Sequence, residues 1–368
     1  MKTRSKATDR LWTPQRKKTK KAPPFQHQPL DPEKRQIRLF ELSPGKPGSR
    51  ISGKLIHVSL NDNPRFEALS YTWGLPQPTY IVSIDEGSPF SVRRNLRKAL
   101  DALRRPDNPR LLWVDCICIN QLDIPEKEIQ IQLMRAIYAG AETVCTWIDH
   151  NVQPIGGVFE DLENIGHGTE IGDFMDPSYW YPVADIFRDP YWRRVWVQQE
   201  LILASKLEIY CRHDMIDGKQ LLEFQHRVNL VKHQLMSVQS PEYHISRYIA
   251  NDPVDQAAST PDFLSGDILR ARENLVLGQE AHGKQGNELD NLKITRRALG
   301  SSLLQLFIKT AGLNVTDLKD RVYGILGLAV DVDEGAFNVD YSLSITGVYT
   351  KRWEVDHMQG RLSDVDAA

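Results

Sequence analysis

The sequence predicts an α/β protein built on an open, mostly parallel sheet with helices on both faces. Three observations carry that expectation. Apolar runs such as "FEALSY", "RLLWVDCICIN" and "ETVCTWI" are separated by stretches with helical periodicity, so strand and helix alternate along the middle of the chain. The "RLLWVDCICIN" run is apolar on both of its faces, as a strand covered by helices must be. Finally, 41% apolar residues in a chain of 368 suffice for a real core.

Residues 1–34 are basic and proline-dotted, with "RKKTKK" at 16–21 and no apolar periodicity, and are expected to form a disordered arm. Such a run reads either as a nuclear-import signal or as a solvated tail. From residue 36, "IRLFEL", "KLIHVSL" and "FEALSY" form short strands divided by Pro, Gly and Asn-Asp turns. A strand near "YIVSI" follows, then a helix over "RRNLRKALDALRR", where Leu96, Leu100 and Leu103 keep helical spacing. The strand over 111–119 is expected at the centre of the sheet, and its alternation turns Val114, Cys116 and Cys118 to one face, as core. A helix from Pro125 to Ala139 is capped by Asp123 and buries Ile129, Leu133 and Ile137. After the strand "ETVCTWI", Asp189-Pro190 opens another helix, with proline at its first position.

These segments make a core domain over 35–215. Residues 216–300, polar and aperiodic in stretches such as "GQEAHGKQGNELD", read as a variable insertion with loops and helices. A helical C-terminal segment over 301–368 follows, with Leu303, Leu304, Phe307 and Ile308 on one helix and Asp317 capping a second through Leu328. The last forty residues lack a clear domain ending, which points to truncation or a longer architecture.

A net charge of -2 gives no general electrostatic reason to expect a nucleic-acid or membrane partner. The longest apolar runs, such as "VCTWI", fall far short of the roughly 18 residues of a membrane span. Four scattered cysteines make no disulfide framework and point to a reducing interior, so a cytoplasmic location is expected, with the nucleus open through the basic arm. No Cys or His pairs stand at metal-ligand spacing, and no G-x-G-x-x-G, P-loop or G-x-S-x-G motif occurs. No metal or cofactor is expected.

One carboxylate stands out. In "WRRVWVQQELILA" at 192–204, Glu200 projects between Trp196 and Ala204, one turn on either side, with nothing basic three or four residues away. A helix this apolar is usually buried, and buried carboxylates are paired or used. The structural reading pairs Glu200 with Arg193, seven residues earlier on nearly the same face. Ser70, Tyr71, Trp73 and Gly74 lie where a strand runs into a loop, the usual ligand edge of an open α/β sheet. Asp115, inside an apolar strand, and Asn120, in the loop after it, share that edge; all six also admit packing, turn or capping roles.

The order of three blocks resembles the fungal heterokaryon-incompatibility (HET) domain. The blocks are "FEALSYTWG" at 66–74, "LWVDCICINQLDIPEKEIQIQLMRAIYAGAETVCTWI" at 112–148 and "RDPYWRRVWVQQELILA" at 188–204; "TDLKDRVYGILGLA" at 316–329 resembles the segment that often follows. The resemblance implies non-self recognition ending in growth arrest or cell death. HET domains are in turn likened to TIR domains, a flavodoxin-like class, and "WVQQEL" resembles the helix motif whose glutamate is catalytic in TIR enzymes that cleave NAD. By that match Glu200 becomes the candidate catalytic residue and NAD the candidate substrate, with Trp196 placed to stack on the nicotinamide ring. Two functions therefore stand: a NAD-cleaving death effector that works on self-association, and a HET module that binds an unidentified partner or trigger without turnover.

Overall fold

The computed structural model describes residues 23–85, 87–149, 189–212, 214–218, 220, 301–332 and 336–358. Their framework is one nine-stranded sheet in the order β5-β4-β2-β1-β6-β3-β7-β8-β9. The strands are β1 (Gln36–Leu42), β2 (Ser52–Ser59), β3 (Glu67–Tyr71), β4 (Thr79–Ile84), β5 (Ser88–Arg93), β6 (Arg110–Trp113), β7 (Thr143–Trp147), β8 (Leu207–Cys211) and β9 (Asp214–Asp217). The α-helices are α1 (Arg94–Leu103), α2 (Asp115–Cys118), α3 (Ile124–Gly140), α4 (Val195–Ile202), α5 (Leu303–Lys309), α6 (Asp320–Tyr323) and α7 (Ile345–Met358).

The α/β class holds, but the expectation of a mostly parallel sheet does not. Four neighbouring pairs are parallel, β2 with β4, β3 with β6, β3 with β7 and β7 with β8. The other four are antiparallel. The reason is local: β1 and β2, β4 and β5, and β8 and β9 are joined by connections too short for a crossover, so each pair must reverse direction. The parallel part is the centre, β6-β3-β7-β8, and numbering those four strands by chain position gives the order 2-1-3-4.

That order has a consequence for the helices. The chain leaves β3 in one direction, through α1 to β6, and then crosses back through α3 to β7 on the other side. Right-handed crossovers in opposite directions put α1 and α3 on opposite faces. Side chains agree: Trp113 shares the face of Ala68 and meets Tyr138 of α3 edge-on at 5.5 Å, while Trp147 shares the face of Tyr71 and donates to Asn95 of α1 at 2.8 Å. Helix α4 packs beside α3.

Several elements match their sequence signals. Asp123 accepts from Glu126 N at 3.1 Å and starts α3, and Asp189 caps the turn that precedes α4. Others are corrected. The strand expected over 111–119 ends at Trp113, and Asp115–Cys118 form a single helical turn in which Asp115 Oδ1 accepts from Cys116 N at 2.6 Å. Cys116 and Cys118 therefore part company: Cys118 is buried, whereas Cys116 is partly exposed. Ile129 is 37% exposed, because α3 buries a stripe through Gln130, Met134 and Ile137 instead.

The folded region also starts earlier than residue 35. Phe25 packs against the core, His27 Nε2 lies 2.8 Å from the Ile117 carbonyl, and Arg38 donates to the Gln28 carbonyl, so residues 23–34 form a strap over the domain. Aromatic anchors in an aperiodic stretch leave no periodic signal. The lysine-rich run at 16–21 and nearly all of 216–300 lie outside the described residues. No described helix is long and apolar enough to cross a membrane.

Strands β1 and β2 leave no room for a side chain at Gly53. A Cβ there would lie 2.5 Å from both the Glu41 carbonyl oxygen and the Phe40 ring. Gly53→Ala is expected to cost about 1–3 kcal/mol through overpacking. A urea midpoint equal to that of the wild type would refute it.

Candidate functional site

The site forms where β3, β6 and β7 end. The pleat sends the last two residues of β3 to opposite faces of the sheet, Ser70 toward α4 and Tyr71 toward α1. The two side chains serve two different surroundings.

On the Ser70 side, a 3-10 turn over Pro190–Arg193 leads into α4 and places Tyr191 and Glu200 over the strand ends. Ser70 Oγ donates to Glu200 Oε2 and lies 2.6 Å from the Tyr191 hydroxyl, which is 3.1 Å from Thr146 Oγ1. With Glu200 ionised, the single Ser70 proton goes to the carboxylate, so Tyr191 donates to Ser70 and Thr146 to Tyr191. The result is a chain of hydroxyls that ends on Glu200. Glu200 is only 5% exposed. Burial pushes its carboxyl up to about 7, against the pull of the Arg194 charge and the Ser70 hydrogen bond, with the nearby Asp115 adding to the rise.

On the Tyr71 side, Asp115 opens the α2 turn and its Oδ2 accepts from Trp73 Nε1 at 2.7 Å. The Tyr71 hydroxyl also bonds to this carboxyl, whose pKa is raised by burial and pulled back by Trp73 and Arg194. A cavity of about 190 Å³ adjoins it, walled by Tyr71, Trp73, Thr79, Ser91, Arg93 and Cys116 among others. Burial holds the Cys116 thiol up at about 12, so it stays protonated and is a poor nucleophile. Gly74 turns the loop with φ +69, a conformation that favours glycine, and its carbonyl accepts from Arg93 at 2.9 Å.

Arg194 joins the two sides. It sits at the junction of the 3-10 turn and α4, donates to the Tyr71 carbonyl, and its charge acts on both Glu200 and Asp115. The structure therefore puts Ser70 beside Glu200, and Tyr71, Trp73 and Asp115 around the cavity, with Gly74 at its rim. It does not bring in the other two candidates. Asn120 donates its N–H to Glu126 at 2.7 Å and accepts from Leu122 N, in the approach to α3. The Trp196 indole bonds to Asp320 and lies under Gly324, facing the C-terminal segment.

The charge that acts on Glu200 comes from Arg194 and not from Arg193, which is exposed. Sequence spacing missed it because Arg194 precedes the helix proper and its backbone is extended there. Tyr191, Thr146 and Arg194 are the site residues that the sequence did not single out. Among the described residues no cluster of His, Cys, Asp or Glu could hold a metal ion.

The stretch that builds this site is also one that recurs in known proteins. Residues 66–200 match the family described as Heterokaryon incompatibility protein (HET). The chain carries a HET domain. The match opens at Phe66, just before β3, and closes on Glu200 itself, so the HET domain contains both hydroxyl chain and cavity. The sequence resemblance is thus borne out. Beyond the HET domain, the chain is 24% identical over 388 residues to "Heterokaryon incompatibility protein 6, OR allele" of Neurospora crassa, across 88% of this chain and 53% of that protein. The chain spans about half the length of this curated relative. No solved structure matches it.

Proposed function

We propose that this HET-domain chain acts in fungal non-self recognition, and that its HET domain cleaves NAD to nicotinamide and ADP-ribose at Glu200, leading to growth arrest or cell death. The observation that carries the reading is the placement of Glu200: a buried carboxyl, titrating near neutrality, held by Ser70 at the carboxyl end of β3. Strand order 2-1-3-4 supports the comparison with flavodoxin-like and TIR sheets, whose ligands gather outside the carboxyl ends of the strands at the point where the order reverses. Here that point lies between β3 and β7, where Ser70 and Thr146 stand.

The chemistry needs little more. The C–N glycosidic bond breaks, nicotinamide leaves with the bonding pair that neutralises its ring, and positive charge gathers on the ribose. Water then adds at the anomeric carbon and releases a proton. A carboxylate fixed beside that carbon stabilises the charge as it develops. The cationic nicotinamide ring lowers the pKa of Glu200 on binding and so supplies the ionised form. Since the leaving group departs neutral, no second acid is required.

A second reading, a HET module that self-associates or binds a partner without turnover, draws on the low exposure of Glu200 and its hydrogen bond from Ser70. Nicotinamide release from NAD by the purified chain separates the two, measured dilute and then clustered on a multivalent scaffold. Release that rises on clustering is the expected result. None under either condition would hand the case to the binding module.

A further inference from the structure

The cavity on the Tyr71 side lies across β3 from Glu200, and at about 190 Å³ it is smaller than the roughly 300 Å³ at which pockets begin to enclose whole drug-sized ligands. It suits one ring system. Two features define what kind. Trp73 offers a half-buried indole, fixed by its hydrogen bond to Asp115, and Arg93 holds its guanidinium over one face of that indole, 5.2 Å from the ring centre, which leaves the opposite face for a base. Arg93 spends one of its five N–H donors on Gly74 O, and among the described residues the others make no hydrogen bond or ion pair. An aromatic platform next to a cation with free donors fits a heteroaromatic base that carries an anionic group.

We propose that this cavity is a base-binding site for the adenylate half of a dinucleotide, with the ring against Trp73 and the phosphate on Arg93. A dinucleotide seated there straddles the end of β3. Its adenylate occupies the α1 face, and its other half reaches over the strand end, past Arg194, to Ser70 and Glu200. The choice of adenylate and the placement of the second half rest on the NAD-cleavage reading; the cavity by itself supports a heteroaromatic ring that carries an anionic group.

Calorimetric titration of the full chain with AMP, adenosine and ADP-ribose tests the proposal. AMP and ADP-ribose are expected to bind competitively, and Trp73→Ala to weaken both by about tenfold or more, the loss expected for one stacked base. Trp73→Phe, which keeps a ring but not the bond to Asp115, should recover most of that affinity and guards against a folding defect. Arg93→Gln should weaken AMP while leaving adenosine unchanged. The proposal is overturned if AMP does not bind at millimolar concentration, or if it binds equally well to the Trp73→Ala and Arg93→Gln variants. Adenylate binding without nicotinamide release would sustain this site and sink the cleavage reading; release that ignores both variants would do the reverse.

Discussion

Replacing Glu200 with Gln is expected to cut nicotinamide release by on the order of 100-fold or more while leaving the chain folded, because the charge that stabilises the ribose cation is lost. Gln keeps the oxygen that accepts from Ser70. The same variant carries a signature in stability that does not depend on any assay of turnover. Burial raises the Glu200 pKa to about 7 in the folded state from an ordinary 4.5. Between those two values the folded protein holds a proton that the unfolded chain has released, so this group's contribution to stability is complete below pH 4.5 and is lost as pH rises through 7. At 1.36 kcal/mol per pKa unit the whole change is on the order of 3–4 kcal/mol. Glu200→Gln lacks it. The stability of the variant relative to the wild type should therefore climb from pH 4.5 to pH 8, as read from denaturant titrations at both values. A structural ion pair with Arg194 predicts the opposite: Gln would melt lower at pH 8, and the surviving folded protein would keep full activity per molecule. Undiminished turnover with an intact fold would remove Glu200 from the site.

The sequence revealed elements whose periodicity is set by one uniform environment. Strands β1, β3 and β7 read clearly because each is apolar and lies inside the sheet, and Asp123 announced α3 because a cap is a local interaction. Alternation misled at Cys116 and Cys118, because a helical turn and a strand can bury the same short apolar run, and the hydrogen bond of Asp115 to the next amide favours the turn. Strand β5, "SPFSVR", was missed because its pairing with β4, and not its own composition, makes it a strand. The site was legible by half. Glu200 and Ser70 were each conspicuous, one as a charge in an apolar helix and the other at a strand end, but their contact joins residues 130 positions apart and needs the fold. Arg194 was invisible to spacing rules that hold only inside a helix. Trp196 faces the C-terminal segment, which no helical projection could place.

Arg38 gave no signal either, and its replacement is expected to cost the most stability. It occupies an alternate position of β1 where a solvent-facing residue is the ordinary choice, yet its side chain is 1% exposed. Its guanidinium grips both Glu126 oxygens, at 2.7 and 2.8 Å, and also donates to the carbonyls of Cys118, at 2.9 Å, and Gln28. One side chain thus ties β1, the α2 turn, the first turn of α3 and the strap together. Glu126 is held below its ordinary pKa chiefly by Arg38 and the Asn120 amide, against its own burial. Arg38→Met removes the cation, leaves that carboxylate with only the Asn120 amide, and takes the donor from two carbonyls. Breaking one side of such a pair costs about 3–5 kcal/mol, and the variant should unfold correspondingly earlier in denaturant. Adding Glu126→Leu removes the stranded charge, so the double variant should be more stable than Arg38→Met alone, with a coupling of about 1–3 kcal/mol in the cycle. Limited proteolysis supplies a local readout, since losing the bond to Gln28 should free residues 23–31 for cleavage before the sheet unfolds. If the two substitutions instead add independently and the strap stays protected, Arg38 is a spectator in a site held by packing alone.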